Sequence, residues 1–177
     1  RVPLGGATSA AEAARMLSGV APLPDGRIVG AGFCDGLWPD RPARALLDGV
    51  AGELPAYLIN ADVHSVWLNS AALRREGFDG ADDDGVLREE DAFEISRRLN
   101  AADAATADAA VRAAAERAAS RGVTGMVDFD MAWNAEAWRR RADAGFDTHR
   151  VEFAFYPDGL QRAVDEGLRS GEELTGT

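Results

Sequence analysis

Asn60, Asp62, His64 and Ser65 place four polar side chains within six residues of this chain. They follow Pro55 and a short apolar run, Ala56 to Ile59, that reads as a buried strand. The segment after them, Val66 to Leu73, is mostly apolar and helical in composition. A strand that ends in a polar cluster and turns into a helix is where α/β proteins place their sites. The same spacing is also met if Asp62 and Ser65 cap the helix and His64 is a hydrogen-bonded loop histidine.

The other chemistry-bearing residues are scattered. Glu89, Glu90 and Asp91 are adjacent at the start of an expected helix over Val86 to Leu99. At 100° per residue Ala92, Ile95 and Leu99 share one face, and Glu90, Asp91, Glu94, Arg97 and Arg98 share the opposite one. Glu89 flanks the apolar side, so its carboxylate is paired with an arginine such as Arg88, ligates a metal, or is stabilised by the helix dipole. Asp128 ends a strand expected over Val123 to Phe129, where it either faces a site or holds the backbone. Cys34 has no histidine near it in sequence and reads as a buried small residue rather than a nucleophile. His149 opens an alternating strand and reads as structural. Asp79 to Gly85 lacks the alternating ligands of a calcium loop and reads as a solvated acidic turn.

Composition narrows the partners. The 177 residues are 46% hydrophobic and 28% charged, an ordinary globular composition. A net charge of −11 argues against a nucleic-acid partner and against anionic membrane surfaces. No apolar run reaches the length of a membrane span, and no signal peptide is evident. One cysteine excludes an internal disulfide, and a cytoplasmic location is the simplest expectation. All 19 basic residues are arginine, which excludes Schiff-base lysines, phosphate-loop lysines and a metal-bridging carboxylated lysine within this chain.

Ser9 and Glu12 have capping-box spacing ahead of a first helix. Strands are expected over Arg27 to Phe33, Ala56 to Ile59, Val123 to Phe129 and His149 to Tyr156. Helices are expected over Ala43 to Val50, Ala107 to Arg121 with Thr106 as cap, Asn134 to Ala144 and Leu160 to Leu168, and Ser170 to Thr177 trails off. Trp38 and Trp67 are expected in the core, and Asn69 and Ser70 are expected to hold backbone. Strands alternating with helices imply parallel strands, right-handed crossovers and a single domain over 1–177.

Asp62-x-His64 followed by Trp67-x-Asn69-Ser70-x-Ala72-Leu73 resembles the "DGH…W.NS.AL" segment of amidohydrolase family 3, the YtcJ-like metal-dependent hydrolases. Gly32-Phe33-Cys34-Asp35 with Trp38, Gly85-Val86-Leu87-Arg88-Glu89, and Gly122-Val123-Thr124-Gly125 with Asp128 resemble three further segments of that family, in family order. The resemblance covers most of residues 1–155.

That resemblance implies a metal-dependent hydrolase acting on C–N, amide-like bonds of a small molecule through metal-activated water, with a divalent metal, expected to be zinc. It implies a (β/α)8, TIM-type barrel; such a barrel takes about 250 residues, so roughly half is expected here. The chain would begin just after the family's His-x-His pair and end before its later ligands. His64 is then a substrate or transition-state contact, Asp62 orients it, Asp128 is a further catalytic candidate, and Glu89 stands where the family's glutamate bridges metals. The isolated chain is expected to be inactive and to self-associate through uncovered strand edges. The alternative is a non-catalytic α/β module, or one chain of a multi-chain assembly.

Overall fold

The structure is a computed structural model that describes residues 1–173; residues 174–177, the end of the expected trailing segment, lie outside the described residues. The chain divides into two compact units, Arg1–Ala101 and Ala102–Thr177. Among the described residues no helix is long and apolar enough to cross a membrane.

The first unit runs β1 (Val2–Pro3), α1 (Ala10–Arg15), β2 (Ile28–Phe33), α2 (Arg44–Ala51), β3 (Ala56–Asn60), β4 (Ser65–Leu68), α3 (Ser70–Glu76), β5 (Val86–Arg88) and α4 (Glu90–Asn100). Its five strands lie in the order β1-β2-β3-β4-β5. β2 and β3 are parallel, as the alternation implied, and β1, a strand not expected from the sequence, pairs parallel with β2. β4 is antiparallel to both β3 and β5, which corrects two expectations. Val66 to Leu68 is a strand and not the start of a helix, because residues 61–64 leave no length for a parallel crossover. Val86 to Arg88 is likewise a strand, and the helix expected from Val86 begins at Glu90. Both segments are short apolar runs, the case in which periodicity does not separate strand from helix.

Alternation along the strands loads both faces of this sheet. Ile28, Ala56, Leu58, Trp67 and Val86 pack with Ala13, Leu17 and Leu47 from α1, its C-terminal turn and α2. Val29, Tyr57, Ile59, Val66 and Leu87 pack with Leu73, Ala92 and Ile95 from α3 and α4. A fully buried side chain of this size contributes about 1.5–3 kcal/mol, so each cluster is a core in its own right. Trp67 is fully buried, and Trp38 packs at the rim with its indole N–H donating to the Ala7 carbonyl at 3.0 Å.

Local polar groups fix the joints. Ser9 accepts from the Glu12 backbone at 3.0 Å, as expected, while the Glu12 carboxylate reaches the Thr8 backbone N–H at 2.7 Å. Helix α3 is capped by Asn69 and not by Asp62 or Ser65. Asn69 is fully buried; its Oδ1 accepts from Ala56 and Ala72 at 3.0 and 2.9 Å, and its Nδ2 donates to Gly52 and Leu54 at 3.2 and 3.0 Å. Ser70 donates to Asp48 from both backbone and hydroxyl, at 2.8 and 2.7 Å. These two residues therefore tie the end of α2, the start of β3 and the start of α3 together. The acidic turn before β5 is met by arginines: Arg44 pairs with Asp83 at 2.7 Å and Arg88 with Asp84 at 2.9 Å.

The second unit runs α5 (Ala104–Ala119), β6 (Gly125–Asp128), α6 (Asn134–Asp143), β7 (Arg150–Phe153) and α7 (Pro157–Asp165), with β6 and β7 parallel. α5 starts earlier than expected because Asp103, not Thr106, is its cap; Asp103 accepts from the Thr106 backbone at 2.8 Å. α7 also starts earlier, with Pro157 in its first turn, where a missing N–H costs nothing. Asp108 holds α5 to α6 through Arg140 and Arg141, each at 2.8 Å.

Candidate functional site

β5 is antiparallel to β4, and β4 to β3, so β1, β2, β3 and β5 all run the same way. Their C-terminal ends and the start of β4 therefore share one edge of the first unit. Cys34 and Asp35 leave β2 there, Asn60 and Asp62 leave β3, His64 enters β4 and Glu89 leaves β5. Residues from three of the four sequence motifs meet on this edge.

The loop between β3 and β4 is built by its own polar side chains. Asn60, 6% exposed, donates from Nδ2 to Asp35 Oδ1 at 2.9 Å and accepts from the Asp62 backbone at 3.2 Å. Asp62 Oδ1 accepts from the His64 backbone N–H at 2.8 Å. Asp62 thus fixes the turn that presents His64, in place of the expected helix cap. Val63 sits between them at φ 60°, a conformation that β-branched residues rarely adopt.

Across the ladder, Ser65 pairs with Arg88, and the Glu89 backbone N–H donates to the His64 carbonyl at 2.9 Å. His64 Nδ1 lies 3.1 Å from Glu89 Oε2. The sequence expectation that Glu89 flanks the buried side of a helix is corrected. Glu89 is the residue between β5 and α4, at φ 52° and ψ −122°, and its side chain is 72% exposed. Arg88 does not pair with it, being engaged by Asp84. Cys34, expected to be buried, is exposed at the end of β2.

Asp128 belongs to the second unit. Its Oδ2 accepts from the Trp138 indole N–H at 2.8 Å and its Oδ1 from the Asp130 backbone at 2.9 Å. A cleft of about 880 Å3 in the same unit is lined by Trp138, His149, Phe153, Phe155, Leu160 and Leu168. His149 is 7% exposed, and neither ring nitrogen has a hydrogen-bond partner among the described residues.

Phe93, which does not stand out in the sequence, meets the His64 ring edge-on at 5.2 Å between centroids. The signal is its position four residues after Glu89, which becomes meaningful only once the helix is known to start at Glu90. Asp35, the partner of Asn60, carries no sequence signal either, because no spacing links the turn after β2 to the end of β3. Among the described residues no three His, Cys, Asp or Glu side chains converge to hold a metal ion, so the edge supplies at most part of a metal site.

A sequence model described as "Amidohydrolase family" matches residues 1–150. The fold is similar to that of an uncharacterized metal-dependent hydrolase from Pyrococcus horikoshii OT3, with a TM-score of 0.64 and 18% identity over 94% of this chain and 35% of that one. It is also similar to an uncharacterized metal-dependent hydrolase from Pyrococcus furiosus, with a TM-score of 0.62 and 18% identity over 97% of this chain and 37% of that one. The chain therefore spans little more than a third of the length of these structures. Curated proteins provide no match.

Proposed function

The chain belongs to the amidohydrolase family through residues 1–150, and from that premise we propose that it is part of a hydrolase acting on C–N, amide-like bonds of a small-molecule substrate. In this reading residues 1–177 are one stretch of a (β/α)8 barrel, with the edge bearing His64 and Glu89 as the catalytic end. The observation that carries it is the His64–Glu89 pair, 3.1 Å apart at the strand ends where the motifs converge.

A catalytic zinc takes about three protein ligands. The described residues do not close such a set; of them Glu89 would supply one carboxylate toward a divalent metal, expected to be zinc, which would activate water. His64 is the proton-handling contact to substrate, and Asp62 holds it through the backbone. A catalytic part for Asp128 competes with the two hydrogen bonds its carboxylate already makes. The open metal set equally favours the second reading, a non-catalytic module or one chain of a larger assembly.

The test is amide hydrolysis and zinc per chain, on this 177-residue chain and on a longer protein containing it. We expect no chelator-sensitive turnover from the shorter chain. We expect turnover with bound zinc from the longer one, abolished in His64→Ala and kept in Glu90→Gln. A longer protein that binds no metal and cleaves no amide in a broad substrate panel would overturn the hydrolase reading in favour of the second.

A further inference from the structure

We propose that the open edge of β7 is an interaction surface for a second copy of this chain, which adds its own β7 antiparallel across a twofold axis. The inference goes beyond the hydrolase reading and does not rest on it.

The first support is the backbone. In the ladder with β6, the Arg150 N–H donates to the Thr124 carbonyl at 3.1 Å and the Ala154 N–H to the Asp128 carbonyl at 3.2 Å. Alternate residues of a strand turn their backbone groups to opposite sides, so Val151 and Phe153 turn theirs to the other edge. The sheet has two strands, and among the described residues no strand pairs with that edge. β7 carries neither a proline nor a bulge to blunt it. An uncovered row of N–H and C=O groups of this kind is a template for another strand. The other open edges are poorer templates. β1 has two residues and β5 three, and β6 carries no basic side chain, so pairing with itself gains no charge pair.

The second is charge. Arg150 and Glu152 are both exposed on the same face of β7, and neither is in an ion pair among the described residues. An antiparallel pair centred on Val151 sets Arg150 of each copy opposite Glu152 of the other, so the charge pair forms twice. Moving the centre by one residue sets Arg150 on Arg150 or Glu152 on Glu152, and like charges directly opposite are destabilising. A centre on Phe153 forms no charge pair. The charges therefore select the register centred on Val151. In that register the two Val151 residues exchange both backbone hydrogen bonds, because their polar groups already face the open edge.

The third is the wall beside the edge. Leu160 and Val164, one turn apart on α7, are 53% and 71% exposed. Both line the cleft that also holds Phe153, Phe155 and Leu168. The same register brings Phe153 of the second copy opposite His149, which lines this cleft as well. Backbone bonds then supply the pairing, and the cleft receives the side chain that goes with it.

In a longer protein the same edge is open to a strand of that protein, so the test uses the 177-residue chain. The experiment is sedimentation velocity up to about 500 µM, where a dimer of micromolar Kd is fully formed, at about 0.15 M salt. It compares the wild type with Glu152→Arg, with Arg150→Glu and with the double variant that carries both. Circular dichroism checks that each is folded. We expect a reversible dimer in the wild type. Each single variant sets like charges opposite at both places and should raise the dimer Kd at least about tenfold. The double variant makes the pairs opposite again and should return the Kd to within about threefold of the wild type. Net charge moves in opposite directions in the two single variants, so a weakening common to both reads the pairing and not the overall charge. A wild type that stays monomeric throughout, or one that grows past a dimer into open assemblies, overturns the proposal. So does a dimer that either folded single variant leaves unchanged, or a double variant no tighter than the single ones. The dimer is read without substrate or metal, so its failure is separate from a failure in the turnover assay.

Discussion

In the first unit five strands carry apolar side chains on both faces, and helices cover both; in the second, two strands carry a thin core. The buried apolar residues of the second unit are Ala115, Ala135, Trp138 and Ala163, three of them alanines, while Val127, Phe129, Met131, Leu160 and Val164 are all more than half exposed. Both units repeat the same strand–helix grammar, so the difference lies in closure. A two-stranded sheet has two free edges and little area to bury, and such pairs are marginal by themselves. The candidate site sits on the unit whose core is complete. A strained turn at Val63 and Glu89 needs a rigid frame to hold it, and the first unit supplies one.

Hydrogen exchange on the intact chain gives the largest contrast. Amides of β2 and β3 should be protected about a thousandfold more than those of β6 and β7, a difference of roughly 4 kcal/mol in opening free energy. Equal protection would dissolve the distinction between the units. Next in size is Gly85→Ala. Gly85 has φ +69°, and a Cβ there would collide with the Leu68 carbonyl and approach Arg44 Cβ at 2.8 Å. Thermal and denaturant unfolding should show a loss of at least about 3 kcal/mol, concentrated in the first unit.

Two buried asparagines sharpen the comparison. Asn69→Ala orphans two N–H donors and two carbonyls in the first unit and should cost about 3 kcal/mol. Asn134 makes a single side-chain bond, from Nδ2 to the Asp130 carbonyl at 2.8 Å, and its replacement by alanine in the second unit should cost about 1 kcal/mol. Unfolding curves showing the reverse order would mean the second unit is the better braced.

The smallest effects are opposite in pH. The Arg140 guanidinium, with Arg141, holds the Asp108 carboxyl down at about 2, from an ordinary 3.8. A lowered acid pKa stabilises the fold above the ordinary value, and that stability is lost as pH falls from 3.8 toward about 2. The pair is partly open to solvent, so the loss should be no more than about 1 kcal/mol. Asp108→Asn should flatten acid-induced exchange in α5 and α6. In the first unit, burial and the hydrogen bond to Glu76 push the Tyr57 phenol above its ordinary 10.0. The unfolded chain then ionises first, and stability falls as pH rises past 10.0. Tyr57→Phe should remove that alkaline slope while leaving the acid one in place.

Much of this was legible in the residues. Asp62, His64 and Glu89 stood out by type and spacing, the parallel strands β2, β3, β6 and β7 by their apolar runs, and Asn69 and Ser70 by their motif. Composition, the absence of lysine and the family resemblance needed no coordinates, because each is a property of the linear chain. Tertiary structure alone decided that Val66 to Leu68 and Val86 to Arg88 are strands, since short apolar runs take their conformation from what pairs with them. It alone brought His64 against Glu89 and Phe93, because a ladder register couples residues twenty-five apart in sequence with no local signature. And it alone exposed the cost at Glu89, since a backbone angle belongs to the packed chain and not to the residue's type.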